Sequence, residues 1–183
     1  MRRPSTLALA LALALAGCSP GEPDPIDPLD AELIRELSMA QGDASGSAHA
    51  GTWSVRFEQD SCDCPSLTIN GEPVDLCELG ALALADETPL EFSEGGGVLA
   101  ITTGPGSPFG VLTGAIASDG SFDVASRHDA STLVGALETL TRIDGSFDAG
   151  GGEVSGWAGQ RLIGAPLGDA IDCRQVGSFT GSR

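Results

Sequence analysis

The sequence contains no lysine and no tyrosine, and only two tryptophans and two histidines in 183 residues. Without lysine, Schiff-base chemistry and a phosphate-binding P-loop are excluded. The few aromatic residues disfavour a membrane-spanning β-barrel, which carries aromatic girdles at both interfaces. The nine basic residues are all arginines and stand against 26 acidic residues, for a formal net charge of −17. Because such a chain repels phosphate backbones, nucleic acid is not an expected partner.

Recognisable catalytic motifs are also lacking. No serine has glycine two positions away on both sides, and there is no His-Glu-x-x-His sequence. His49 lies among small residues, and His128 lies beside Arg127 and Asp129 in an expected loop. We therefore expect a non-enzymatic domain with no cofactor and no bound metal. The alternative is an envelope hydrolase with an unrecognised site, which requires His128 near a serine and a carboxylate.

Glycine is abundant, with 26 residues or about 14% of the chain, roughly twice its usual share. Trp53, Val55 and Phe57 alternate with polar residues, as in a half-buried strand. Short candidate strands of the same kind follow, separated by glycine or proline. They are residues 66–70, 89–92, 98–102, 109–117, 121–125, 138–143, 152–163 and 175–180.

A five-residue repeat supports a mainly β fold. Asp-Gly-Ser-Phe-Asp occurs at residues 119–123 and again at 144–148. Because Asp-Gly favours tight hairpin turns, each copy predicts a hairpin. Repeated hairpins indicate an antiparallel meander, closed as a small barrel or folded as a sandwich. The paired carboxylates also offer a calcium alternative, but neither copy continues as an EF-hand loop.

The N-terminus has the features of a secretory signal. Arg2 and Arg3 precede ten apolar residues from Leu7 to Ala16, a stretch too short to span a bilayer as a helix. Leu15, Ala16, Gly17 and Cys18 resemble in full the lipobox of bacterial lipoproteins. The alternative is an ordinary signal peptide in which Cys18 happens to lie near the cleavage site.

The lipoprotein resemblance implies a membrane anchor. In that family the cysteine thiol, here that of Cys18, receives a diacylglyceryl group, and the signal, here residues 1–17, is removed. The new amino group commonly receives an acyl chain such as palmitate. Ser19 follows the modified residue, and a residue other than aspartate there favours the outer membrane in many Gram-negative lipoproteins. Two or three chains anchor a protein durably, whereas a single chain binds only reversibly.

The rest of the chain divides into two parts. Residues 18–51 comprise the lipidated cysteine, a tether rich in proline and acidic residues, a short amphipathic helix and a small-residue linker from Gly42 to Gly51. Residues 52–183 form the β domain. Within it, a short helix is plausible in Asp75–Asp86, and Ser131–Leu140 fits either a helix or a strand, of which we favour the strand.

Four cysteines remain besides Cys18, namely Cys62, Cys64, Cys77 and Cys173. An even number outside the cytoplasm predicts two disulfides. A direct bond between Cys62 and Cys64 is disfavoured because one intervening residue forces a tight ring. Cys62 and Cys64 are therefore expected to pair with Cys77 and Cys173, in an order that the sequence leaves open. A tetrahedral zinc or copper(I) site and a redox-active Cys-x-Cys are the alternatives.

Two short stretches resemble known barrel families. Gly51, Thr52 and Trp53 are similar to the Gly-x-Trp opening of lipocalins, some of which are bacterial lipoproteins, and residues 157–160 resemble a strand of avidin-like barrels. The resemblance implies a barrel with an internal ligand cavity. We expect a protein partner or a small apolar ligand, the latter in an interior lined by Trp53, Phe57, Phe122 and Trp157.

Overall fold

The computed structural model describes residues 26–69, 71–79, 87–103, 110–132, 135–165 and 170–183. Two short helices and ten strands lie in these ranges. The helices are α1 (Ala31–Ser38) and α2 (Leu76–Leu79), and the strands are β1 (Gly51–Asp63), β2 (Leu67–Ile69), β3 (Glu72–Val74), β4 (Thr88–Gly95), β5 (Val98–Thr103), β6 (Val111–Ile116), β7 (Ser121–Thr132), β8 (Gly135–Phe147), β9 (Glu153–Gly164) and β10 (Ile171–Ser182).

Eight of the strands form a closed antiparallel barrel in the order β1-β10-β9-β8-β7-β6-β5-β4. From β4 to β10, each strand pairs with the next one along the chain, and β1 closes the barrel by pairing with both β10 and β4. Strands β2 and β3 form a separate two-stranded sheet. The mainly β prediction is confirmed, and the architecture is an up-and-down barrel compatible with the lipocalin type.

Aromatic rings fill one half of the barrel interior. Trp53 and Phe92 contact Phe147, with ring centroids 5.2 and 5.9 Å away, and Phe122 lies 5.1 Å from the same ring. Phe57 and Phe179 continue the cluster along β1 and β10. All of these side chains are buried. We call this region the aromatic half; its rings pack against one another as a hydrophobic core.

A second, smaller core lies outside the barrel under α1. The apolar face of α1 and the residue before its cap bring Ile34 and Leu29 onto Ala125 of β7 and Leu140 of β8. Asp30 caps the helix by accepting hydrogen bonds from the backbone of Glu32 and Leu33. The short amphipathic helix expected from the sequence is therefore present. It packs on the barrel wall.

The expected linker Gly42–Gly51 lies against the aromatic half, and its last residue, Gly51, already belongs to β1. The amide of Gly42 donates to Gly97 at 2.8 Å, and the amide of Ala44 donates to Ile116. The His49 ring stacks on Phe147 with centroids 3.9 Å apart, and Trp53 Nε1 donates to the His49 carbonyl. Small residues suit this position because a Cβ at Gly42 would come 2.1 Å from the Ile116 oxygen.

The two repeat copies adopt different structures. The first copy forms the turn between β6 and β7, where Gly120 has a φ of +86° and Asp119 accepts from Ser121. The second copy lies within β8 as far as Phe147, so the hairpin predicted there is wrong. Gly145 in that copy faces the aromatic half, and a Cβ there would lie 2.8 Å from Phe179. The glycine serves ring packing at this position.

The segments that the sequence left ambiguous are largely resolved. In Ser131–Leu140, residues 131–132 end strand β7 and residues 135–140 begin strand β8, so the described residues bear out strand rather than helix, but as two strands, and residues 133–134 lie outside the described ranges. In the Asp75–Asp86 segment, α2 covers residues 76–79, and residues 80–86 lie outside the described ranges.

Candidate functional site

The other half of the barrel interior carries a row of polar side chains. Strands alternate their side chains between two faces, and Ala125 and Leu140 face outward toward α1. Their neighbours Ser126 and Thr141 therefore face inward. In register with them across β7, β8, β9 and β10 lie Ser126, Thr141, Gln160 and Gln175. We call these four residues the polar row.

The polar row is removed from solvent. The solvent-exposed fraction of the residue is 6% for Ser126, 1% for Thr141, 2% for Gln160 and 0% for Gln175. Because neighbouring hydrogen-bonded strands lie about 4.8 Å apart, the four side chains form a continuous arc on one inner wall of the barrel. None carries a formal charge. The arc therefore offers hydrogen-bond donors and acceptors without an ionic attraction.

Among the described residues, two atoms of the polar row have no hydrogen-bond partner, namely Thr141 Oγ1 and Gln175 Oε1. The amide nitrogen of the same glutamine, Nε2, donates to the carbonyl of Leu76 at 2.9 Å. A buried polar atom left unpaired costs about 1–3 kcal/mol. Protein interiors usually satisfy such atoms with protein groups, water or a ligand. These two oxygens are therefore candidate ligand contacts.

Both expected disulfides are present, and the structure shows which cysteines pair. Cys62 is bonded to Cys77, and Cys64 is bonded to Cys173. The first bond ties α2 to the end of β1. Cys173 is fully buried and precedes Gln175 by two residues, so both point to the same face of β10. The disulfides thus fix α2 and the end of β1 beside the polar row.

Ion pairs fasten the N-terminal segment to the outer wall. Asp27 accepts hydrogen bonds from Arg174 and Arg161, and Arg161 also pairs with Asp172 at 2.6 Å. Burial alone would raise the pKa of Asp27, but hydrogen bonds from the Leu29 backbone and Arg174, with the charges of both arginines, lower it overall. The hydrogen bond from Arg161 lowers the pKa of Asp172.

A second arginine lies between two acids on the same wall. Arg142 makes a bidentate pair with Asp123, with distances of 2.9 and 2.7 Å, and stands 3.6 Å from Asp144. Its guanidinium also lies 5.9 Å from the Trp157 ring centroid. Trp157 therefore belongs to the outer wall, whereas the expected interior set placed it beside Trp53. The pKa of Asp144 is raised by burial and by the charge of Asp123.

The remaining carboxylates of the repeat hold turns. Asp148 accepts from the amides of Gly150, Gly152 and Glu153, and these bonds lower the pKa of Asp148. Asp119 plays the same part at the preceding hairpin through Ser121. The aspartates of the two copies thus serve turn geometry and the ion pair with Arg142.

The histidines were the basis of the hydrolase alternative. His128 is exposed on β7, in register with Thr139, and within the described residues no hydrogen bond joins its ring to a serine or a carboxylate. His49 stacks on Phe147 beneath the barrel, and its Nδ1 has no partner. The arrangement that we required for the hydrolase is not formed by the described side chains.

An outer groove of about 560 Å³ crosses β8, β9, β10 and β1. Its lining combines hydroxyl and charged side chains, among them Ser54, Arg56 and Glu87, with the apolar Phe147 and Val154. Ser54 Oγ donates to Glu87 at 2.8 Å, and Arg56 lies 3.8 Å from the same carboxylate. These groups satisfy one another at the surface, so the groove presents fewer unmet polar contacts than the barrel interior.

Sequence reasoning did not find the polar row. The two glutamines stand on otherwise apolar alternating faces, between Ala158 and Leu162 on β9 and between Cys173 and Gly177 on β10. A polar residue on such a face is the available signal. Their convergence requires the strand register, which no single strand encodes.

No protein-family model matches this chain, and no curated protein matches its sequence. Among the described helices, none combines the length and the apolar character that crossing a bilayer would require.

Proposed function

We propose that this chain is a lipid-anchored binding protein of the cell envelope, attached through Cys18 to the outer membrane, and that it acts without catalysing a reaction. The barrel would bind a small, neutral, hydrogen-bonding molecule at the polar row. The observation that carries the binding proposal is the pair of buried, unpartnered oxygens on Thr141 and Gln175. The lipobox and the tether support the anchor.

The chemistry of the row defines the ligand class. Gln175 Oε1 only accepts hydrogen bonds, so it calls for an N–H or O–H donor on the ligand. The Thr141 hydroxyl both donates and accepts. Because the row has no formal charge, an ionic ligand would lose its hydration without gaining a counterion. A neutral amide, urea or polyol fits these contacts. The apolar ligand expected from the resemblance to barrel families has less support, because the protein's own rings occupy the aromatic half.

Binding can be measured on the glutamine side chains themselves. In ¹⁵N-labelled protein, we expect acetamide, N-methylurea or glycerol to shift the side-chain amide signals of Gln175 and Gln160 in a saturable manner. Thr141→Val removes one hydroxyl and keeps the shape, so it should weaken binding about 3- to 10-fold, the effect of one hydrogen bond. Sodium acetate, the charged counterpart of acetamide, should not bind at the row.

The matched control is Thr180→Val, the same change at an exposed position on β10. It should leave the dissociation constant unchanged. Thr141→Val should not destabilise the ligand-free barrel, because it removes a polar atom without a partner. The binding proposal fails if no neutral probe gives saturable shifts, or if both threonine variants bind as the wild type does.

A further inference from the structure

The two disulfides are in contact with each other. Cys62 and Cys64 have different partners, yet their Sγ atoms lie only 3.3 Å apart. The sulfurs of Cys62, Cys64 and Cys77 all lie within 4.8 Å of one another. Cys173, bonded to Cys64, extends the same cluster into the barrel interior. A single sulfur-to-sulfur contact thus links the surface bond to the buried bond.

The local structure explains this contact. Cys62 lies opposite Gln175 near the end of β1, and Cys64 follows just beyond the strand. Both therefore run alongside β10, which carries Cys173. Helix α2 then brings Cys77 to the same place. The backbone amide of Cys77 donates a hydrogen bond to the Asp75 carboxylate. Cys62, Cys64 and Cys77 are partly exposed, whereas Cys173 is buried.

We propose that these four cysteines form a thiol–disulfide exchange centre that carries reduction from Cys77 at the surface to Cys173 in the barrel. A thiolate of an external dithiol attacks Cys77 Sγ, which breaks the Cys62–Cys77 bond and releases the Cys62 thiolate. The second thiol of the reductant then attacks its mixed disulfide and leaves as a cyclic disulfide. Cys77 gains a proton and becomes a free thiol.

The second stage is internal. The Cys62 thiolate attacks Cys64 Sγ, its 3.3 Å neighbour, and the Cys64–Cys173 bond breaks as a Cys62–Cys64 bond forms. Cys173 leaves as a thiolate and takes up a proton. The protein has then gained two electrons, retains one disulfide and carries free thiols at Cys77 and Cys173.

The test follows the thiols in the wild-type protein. The folded protein is treated with one equivalent of dithiothreitol, quenched with acid, denatured, alkylated and cleaved before aspartate. Such cleavage separates all four cysteines because each has an aspartate close before it in the sequence, at positions 60, 63, 75 and 172. We expect a species with Cys77 and Cys173 alkylated and with Cys62 linked to Cys64.

Two other patterns would overturn the proposal. Free thiols at Cys62 and Cys77 alone would mean that no exchange follows reduction. Free thiols at Cys64 and Cys173 beside an intact Cys62–Cys77 bond would mean that the buried bond is reduced directly. In either case no thiol–disulfide exchange takes place across the 3.3 Å contact between Cys62 and Cys64.

A variant provides an independent measurement without reductant. Cys77→Ser leaves Cys62 without its partner. Because the Cys62–Cys64 ring is tight, we expect exchange to place a measurable fraction, rather than all, of the free thiol among Cys62, Cys64 and Cys173 on Cys173. The control is the double variant Cys62→Ser/Cys77→Ser, in which Cys64–Cys173 should stay oxidised with no free thiol. A free thiol found on Cys62 alone in the single variant, with none on Cys173, contradicts the exchange. If that variant does not fold, the wild-type titration still decides.

Discussion

At the scale of the residue, the surroundings of Arg142 show how aspartates from the two repeat copies take opposite roles. Asp123 belongs to the first copy and Asp144 to the second, and they are directly opposite across β7 and β8. Arg142 makes two hydrogen bonds to Asp123 and a longer contact to Asp144. One acid is therefore a partner of the arginine, and the other adds a like charge next to that pair.

This difference predicts opposite effects of two matched substitutions. Asp123→Asn breaks a bidentate pair whose side chains are 18% and 23% exposed, and it should lower the free energy of unfolding by about 1–2 kcal/mol. Asp144 has a raised pKa, so its ionised form at neutral pH opposes folding, and Asp144→Asn should raise the melting temperature slightly. Since Asp144 is 57% exposed, solvent screening keeps that gain small.

Thermal unfolding at neutral pH and again at an acidic pH near the ordinary carboxyl range measures both effects. The difference in melting temperature between Asp144→Asn and the wild type should shrink as the pH falls, because the raised pKa lets the wild-type carboxyl become protonated, and so uncharged, in the folded state. Equal destabilisation by the two variants would show that Asp144 is a second partner of Arg142 rather than an excess charge.

Residue identities predicted much of the core but not the polar row. Trp53, Val55 and Phe57 are buried on one face of β1, as their alternation indicated. Alternation assigns faces within a strand, which is why this prediction succeeded. The polar row depends on residues 126, 141, 160 and 175 meeting across four strands, and that register follows from barrel closure and turn lengths.

At the scale of the element, the repeat shows the limit of local sequence. In the first copy, Asp119 and Gly120 lie in the turn between β6 and β7, as the turn propensity of Asp-Gly predicts. The second copy continues β8 because Gly145 is needed beneath the Phe122 and Phe179 rings. The two copies pair with each other, Ser121 opposite Ser146. Tertiary packing overrides the same local preference in one copy only.

The segment that leads into α1 depends on Asp27. Its carboxylate accepts hydrogen bonds from two arginines of the barrel wall, and its side chain is 26% exposed. Asp27→Asn should lower the free energy of unfolding by about 1 kcal/mol at neutral pH, since partial exposure screens the interaction.

The contribution of Asp27 to stability depends on pH. The pKa of Asp27 is lowered in the folded state, so the stabilisation is fully present above the ordinary aspartate pKa of about 3.9 and is lost as the pH falls below it. The gap between wild type and Asp27→Asn, followed by chemical denaturation, should close over that acidic range. Glu58→Gln, at an exposed position on β1 with no ion pair among the described residues, is the control and should show no gap. A gap that persists in acid would exclude the carboxylate as its source.

At the scale of the whole molecule, the chain order and the disulfides act together. Cys64 and Cys173 are 109 residues apart in sequence, but they lie on neighbouring segments because β1 pairs with β10. The sequence predicted that Cys62 and Cys64 pair with Cys77 and Cys173, since that followed from counting and ring strain. It left the order open because the order depends on where the closing strands bring each thiol. The sequence also left open whether the strands form a barrel or a sandwich. That choice depends on β1 pairing with both β10 and β4, which local sequence does not encode.

We predict that lipid on Cys18 attaches the whole molecule to the membrane. Asp27, which the barrel holds through Arg161 and Arg174, follows Cys18 by nine positions, so the tether between them can reach at most about 30 Å. Expressed in a Gram-negative host, the wild type should carry a radioactive palmitate label and enter the detergent phase. Cys18→Ser should lose both properties, and Ser19→Ala, which keeps the lipobox, should retain them. A wild-type protein recovered soluble and unlabelled would contradict the lipoprotein assignment, because two or three buried acyl chains do not release a domain of this size into water.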